Sequence, residues 1–454
     1  MEISSKELIK PSSPTPHDSK HYKLSFLDQW VHSYYVPLIF FYQKGEYYPC
    51  PNNIFDHHSK ISQHLKLSLA DALTEFRPFA GRIKGNVSVD CNDSGVLLVE
   101  ARVHSPLSQA IRNAPVDELS QYLPLDPYAP RNDDDDDDDL PLLAIQISSF
   151  ECGGISIGVC LWHKVADTES LIMFLNYWAA LSRGKKFDDP LGLPIFHLTS
   201  QLFPGLDDGS FFSESADNRD RVKEKLVTKR FLFNKEKLAA LKELASSDDF
   251  FGVQVKNPTR VEVVSAFIWK HLIEISRTKG DTKSIFLAFH AVNLRARMKS
   301  FLPSDRNVFG NLSIIANNSS VKAWGIGDHY QELVWIMRNT LRRINDDNFI
   351  KHVQSGVPYF QEAMKSTAGP PGAPPETVDR CLFSSWCRLG VYEVDYGWGK
   401  PFSVCTAAVT FIDNLAILMD TRCGDGIEAW ITLSEDKMAM LPDGLLSLET
   451  TAYF

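Results

Sequence analysis

The chain has 454 residues, 44% of them hydrophobic and 23% charged. This is the make-up of a globular protein too long for one typical core, which excludes whole-chain disorder and leads us to expect two domains. The formal net charge of −10 is misleading, because seven of those charges form one run, Asp133–Asp139, and the rest of the chain is near neutral. Such a run repels itself and is expected to stay solvated as an exposed loop; with no basic stripe anywhere, no nucleic acid partner is expected.

The first residues, MEISSKELIKPSSPTPHDSKHYKL, mix charges and lack an apolar core, so they do not read as a secretory signal. The run VPLIFFY is far shorter than the about 20 residues a membrane helix needs. No membrane partner and a cytoplasmic location are therefore expected. The eight cysteines are scattered without the paired short spacings of a zinc site, so reduced thiols and no metal are expected.

In chain order, SKISQHLKLSLADALTEF places Ile61, Leu65, Leu69, Ala72, Leu73 and Phe76 at helical spacing, and Pro78 ends the helix. RIKGNVSVDCNDSGVLLVEARV reads as strands around an Asn-Asp-Ser-Gly turn. LLAIQISSFECGGISIGVCLWH reads as two extended runs hinged at Cys-Gly-Gly. A long helix follows from Thr168, with Leu171, Phe174, Leu175, Trp178 and Leu181 on its apolar side.

Residues 199–226 lack sustained periodicity. They place a crossover linker at 206–226, between a domain at 1–205 and one at 227–454. The second half restarts with the strand VTKRFLF and a helix capped by Asn234. Thr259 and Glu262 then stand at capping-box spacing before TRVEVVSAFIWKHLIEI. KSIFLAFHAVNLRARM reads as a strand entering a basic turn, and FSVCTAAVTFI, NLAILMD and IEAWITL read as extended segments.

Two stretches compete as the chemical centre. GISIG, Gly154–Gly158, spells the Gly-x-Ser-x-Gly of serine hydrolases, whose nucleophile needs a sharp turn directly after the serine. Here Ile157, Val159 and Leu161 alternate with Ser156, Gly158 and Cys160, so a strand runs through the motif and the hydrolase reading falls. HKVAD is the alternative. His163 ends a buried strand at a chain reversal, and Asp167 lies one helical turn on, where a carboxylate can fix the turn. Far downstream, VDYGWGKP sets two glycines around a tryptophan, a pattern of close backbone approach.

Together these residues resemble the plant BAHD acyltransferases, which transfer acyl groups from coenzyme A thioesters. His163–Asp167 is similar to that family's His-x-x-x-Asp motif. Asp395–Gly399, DYGWG, is similar to its second motif, with tyrosine replacing the usual phenylalanine. FRPFAGR and AVNLRARM resemble two further family elements. SSPTP, VDCNDSGV, FECGG, SWCRLG, LMDTRCGDGIEAW and MAMLP resemble the family's alkaloid acetyltransferases, so the similarity covers the whole chain.

The resemblance implies an α/β fold of two similar domains, each a mixed β-sheet flanked by helices, of the chloramphenicol acetyltransferase-like, CoA-dependent type with a channel between them. It implies His163 as general base, reached by acetyl-CoA from one face and a small-molecule alcohol from the other. Malonyl-CoA or another acyl-CoA is the variant donor. Asp167 is expected to pair with an arginine away from the substrates. Asp395, also essential to catalysis, is expected to anchor the Gly397-Trp398-Gly399 bend through a salt bridge to Arg295 or Arg297. Trp398 is expected to pack there, with an oxyanion contact from its indole as the alternative. Trp162, where many members carry a small polar residue, is expected to reshape the pocket. A monomer is expected. The contrasting reading is a binding protein that keeps the scaffold without the chemistry.

Overall fold

The computed structural model describes the chain apart from residues 45–53, 113, 130–138, 186–191, 208–223, 248–254, 279–284, 299, 303–306, 318–320, 323–328, 407–409 and 442–454. Most of the acidic run and of the expected linker lies outside the described residues.

Two mixed sheets carry the fold. The first has the strand order Glu2–Ile9, Val96–Val103, Leu143–Phe150, Ile155–Trp162, Tyr35–Tyr42, Ser403–Cys405. Its pairs are antiparallel except Val96–Val103 with Leu143–Phe150, which is parallel. The expected hinge at Cys-Gly-Gly is a reversal between antiparallel strands, and Gly153 adopts a φ of +87° there, a backbone state open to glycine at little cost. Ile155–Trp162 is buried along its whole length. It shares one core with Leu65, Leu69 and Leu73 of the helix Ile54–Glu75 and with Leu171, Phe174 and Trp178 of the helix Thr168–Ser182. These are the residues whose 3.6-residue spacing marked both helices.

In the second sheet the order is Ser313–Asn317, Ile285–Asn293, Val378–Ser385, Leu415–Asp420, Ile427–Ser434, Leu226–Phe233, with Val321–Lys322 also pairing Ile285–Asn293. Its central pairs are parallel and its outer pairs antiparallel. The helices Lys235–Ser246, Arg260–Thr278 and Tyr330–Arg343 supply Leu238, Trp269 and Leu333 to the core on this sheet. Both expected caps form. Asn234 accepts from the Lys237 amide at 2.9 Å, while Thr259 and Glu262 satisfy each other's backbone amides at 2.8 and 3.2 Å. Among the described residues no helix is long and apolar enough to cross a membrane.

The chain departs from the sequence reading in three places. Among the described residues of FSVCTAAVTFI the strand is Ser403–Cys405, and it pairs with Tyr35–Tyr42, so the second half of the chain returns to the first sheet. Val404 and Cys405 are buried in the first core, which gives the excursion its driving force. The N-terminal Glu2–Ile9 forms an edge strand on Val96–Val103; mostly exposed, it carries no apolar alternation to read. The helices Tyr330–Arg343, Asp347–Val353 and Val357–Thr367 and the strands Tyr35–Tyr42 and Val378–Ser385 form where the sequence reading assigns no element.

The structure also explains GISIG. A methyl group on Gly158 would sit 1.9 Å from the Tyr122 carbonyl oxygen, and one on Gly154 would sit 2.8 Å from Leu107 Cδ2. Close packing, not an exposed nucleophile, requires these glycines. Gly158→Ala should therefore cost about 1–3 kcal/mol of stability in a denaturant titration. Ser156→Ala should leave activity intact; an inactive Ser156→Ala that remains folded would revive the nucleophile reading.

Candidate active site

The strand Ile155–Trp162 ends one residue before His163, and the helix Thr168–Ser182 starts one residue after Asp167. The intervening loop is held at both ends. The His163 amide donates to the Tyr34 carbonyl at 3.0 Å, and the Val165 amide to the Trp162 carbonyl at 3.1 Å. The His163 carbonyl accepts from Asn311 Nδ2 at 2.8 Å.

His163 lies deep but is not sealed, since the residue is half-buried. Its two ring nitrogens differ. Nδ1 is enclosed and makes no well-formed hydrogen bond, whereas Nε2 has no protein partner and is not enclosed. Burial pushes the imidazole pKa down; its own backbone, the charge of Asp167, the Ala166 backbone and the Asn311 side chain push the other way and leave it below the usual 6.5. A neutral ring with one nitrogen facing open space is what a base needs.

Asp167 caps the following helix, accepting from the Ser170 amide at 3.0 Å. The same carboxylate is clasped by Arg295, with Nη1 to Oδ2 at 2.7 Å and Nη2 to Oδ1 at 3.1 Å, and it accepts from the Leu312 amide at 3.0 Å. Burial alone would raise its pKa, but the charge and hydrogen bonds of Arg295 leave it below the usual carboxylate value. Arg295 in turn donates to the carbonyls of Val308 and Gly310 and to Ser170 Oγ, and its Nη1 stands 3.7 Å from Glu169. The arginine expected beside Asp167 is thus Arg295, brought in from the second half of the chain.

A second bracket was not foreseen. Asp28, completely buried, accepts through Oδ1 from the amide of Asn311 at 2.8 Å and from its Nδ2 at 2.9 Å. Through Oδ2 it closes a capping box with Ser25. Burial pushes its pKa up to about 6, with hydrogen bonds from Ser25 and Asn311 acting against that rise. Asn311 therefore ties the His163 carbonyl to a carboxylate of the N-terminal segment. The Ser-x-x-Asp spacing in LSFLDQ was a legible cap signal; nothing in a single sequence marks Asn311 as its partner.

The model of the Transferase family matches residues 1–444. The chain belongs to this family, the BAHD acyltransferases. It is 44% identical to stemmadenine O-acetyltransferase of Catharanthus roseus, over 100% of this chain and 99% of that protein. It is also 44% identical to vinorine synthase of Rauvolfia serpentina, over 99% of this chain and 97% of that one. The crystal structure of vinorine synthase superposes with a TM-score of 0.82 at 41% identity, covering 98% of each chain. That of F. sporotrichioides TRI101 complexed with coenzyme A and T-2 gives 0.69 at 18% identity, over 95% of this chain and 98% of that one, a likeness of fold alone. The protein is accordingly a transferase with the two-domain, mixed-sheet fold of CoA-dependent acyltransferases.

The second BAHD motif does not meet the first. Asp395 makes no ion pair with Arg295 or Arg297. Its Oδ1 accepts from the amides of Gly397 and Gly399 at 2.8 and 3.0 Å, so it closes the bend from within. The expected salt bridge fails because Arg295 is committed to Asp167, while Arg297 donates to the Asn293 carbonyl at 2.8 Å. Gly397 and Gly399 have φ of +112° and +105°, the left-handed states that glycine allows. The bend docks where the helix Thr168–Ser182 ends, with Ser182 Oγ donating to the Tyr396 carbonyl at 3.0 Å. At about 1.5 Å per residue, 15 residues of helix put it roughly 20 Å from Asp167. Asp395 therefore does not touch the reacting groups.

Trp398 stacks on Tyr396 at 5.6 Å and meets Tyr42 at 6.0 Å. Trp162 is 1% exposed and packs on Tyr35 at 4.9 Å, because it belongs to the buried strand. A groove of about 370 Å³ lies elsewhere, lined by Trp30, Phe289, Arg343 and Tyr359 among others but not by His163.

Removing Arg295 would leave Asp167 buried and unpaired. Arg295→Ala should lower stability by about 3–5 kcal/mol in a urea titration. A loss under 1 kcal/mol would show that the pair is not the clasp described.

Proposed function

We propose that this chain is an acyl-CoA-dependent O-acyltransferase that acetylates a hydroxyl of a monoterpenoid indole alkaloid, with His163 as general base. The observation that carries the reading is the open Nε2 of a buried, neutral imidazole in a chain 44% identical to two alkaloid-acting enzymes. Nε2 takes the proton of the alcohol as its oxygen attacks the thioester carbonyl. The tetrahedral intermediate then collapses, the carbon–sulfur bond breaks, and the imidazolium returns its proton to the departing CoA thiolate. Holding both reactants at one nitrogen converts a two-body encounter into a near-unimolecular step. Asp167, Arg295, Asp28 and Asn311 act on the loop, and Asp395 with Gly397, Trp398 and Gly399 on the far end of the helix. All of these are positioning residues. Arg297 belongs to the same turn as Arg295. Acetyl-CoA is the proposed donor, with malonyl-CoA as its competitor.

Two outcomes are expected. His163→Ala should stay folded and lose about 10²–10⁴-fold in turnover, measured as free thiol released from acetyl-CoA in the presence of an alkaloid alcohol. Retained turnover would remove His163 from the chemistry. No thiol release by the unaltered protein with any donor or acceptor would instead favour a binding role. Because the His163 pKa lies below 6.5 and Asp28 titrates near 6, the rate should be flat between about pH 7 and 8 and fall below about pH 6.5, as the base protonates and the Asp28 bracket loses its charge. A rate still climbing from pH 7 to 8 would contradict the assignment.

A further inference from the structure

Three aromatic rings gather beside the imidazole. Tyr34 stands edge-on to His163 at 5.2 Å between centroids. It meets Tyr128 at 5.9 Å and Phe411 at 5.8 Å, and Tyr128 meets Phe411 at 5.7 Å. Tyr34 and Tyr128 come from the first half of the chain and Phe411 from the second, so the cluster closes only when both halves are in place. Burial pushes the phenols of Tyr34 and Tyr128 well up, which places both deep in the molecule. All three residues nevertheless remain half-buried, like His163 itself. The three rings therefore keep free surface beside the imidazole.

We infer that Tyr34, Tyr128 and Phe411 form the acceptor wall of the active site and select an alcohol carried on a flat aromatic ring system, of which indole is the type. This rests on the acyltransferase reading above and adds which residues select the acceptor and by what contact. Ring faces attract other rings in offset or edge-to-face contact, a preference a saturated ring of equal size does not share. The cluster itself contains no carboxylate, ammonium or guanidinium, so shape and π contact, not charge, do the selecting. The polar amide-rich arm of coenzyme A finds no amide partner on these faces and is assigned to the other side of His163.

Binding, measured apart from turnover, tests this. Tryptophol and its saturated bicyclic counterpart of equal size, 2-(octahydro-1H-inden-1-yl)ethanol, are titrated into the whole protein by calorimetry, beside acetyl-CoA. The unaltered protein should prefer tryptophol by about tenfold. Phe411→Leu and Tyr34→Leu should each bring that preference close to parity with acetyl-CoA affinity unchanged, while Tyr34→Phe, which keeps the ring, should preserve it. Acetyl-CoA affinity also reports that each variant is folded. No preference in the unaltered protein would overturn the inference. So would a preference that survives in both leucine variants, or an effect that falls on acetyl-CoA instead. If the preference behaves as stated but no donor ever releases thiol, the acyltransferase reading fails and the aromatic wall stands as a binding site.

Discussion

One buried ion pair decides where everything else sits. Asp167 and Arg295 come from opposite halves of the chain and meet with two short contacts in a place almost without water. Burying either charge alone would be prohibitive, so neither half reaches its final arrangement without the other. The carboxylate also starts the helix behind His163 and receives the Leu312 amide, so one side chain fixes a loop, a helix and the neighbouring segment of the other half. Both oxygens of Asp167 are thus occupied by hydrogen bonds.

Around that pair the labour is divided by depth. Asp28 and Asn311 hold the His163 carbonyl, and the Tyr34 carbonyl holds its amide, so the backbone has little freedom while the ring edge stays open. Enclosure lowers the imidazole pKa, which favours the neutral ring the proposed base requires. At the other end of the helix Thr168–Ser182, the Asp395 bend fastens Tyr396 and Trp398 against Tyr42 and Trp178. The two family motifs are therefore the two ends of one rigid rod.

Local patterns were legible and distant partnerships were not. The helix carrying Leu65, Leu69 and Leu73, the strand running through GISIG, the Asn234 cap and the Thr259–Glu262 box all follow from rules that span a few residues. His163 and Asp167 were placed by motif. Which arginine served which aspartate was a question of charge complementarity, and a single sequence offers Arg295 and Arg297 equally. The tight Asp-x-Gly-x-Gly spacing did contain the answer for Asp395, since a short carboxylate readily satisfies amides two residues on, as it does in an Asx turn. Asn311 and the strand Ser403–Cys405 were invisible because their partners lie hundreds of residues away. The aromatic trio was hidden for the same reason.

The central claim is that the open nitrogen of His163 is where the two substrates meet. A crystal structure of this protein with coenzyme A tests it most directly. The account predicts the CoA sulfur within about 3–4 Å of His163 Nε2, on the side of the ring away from Tyr34. A sulfur bound in the groove between Trp30 and Phe289, or anywhere out of reach of that nitrogen, would contradict it.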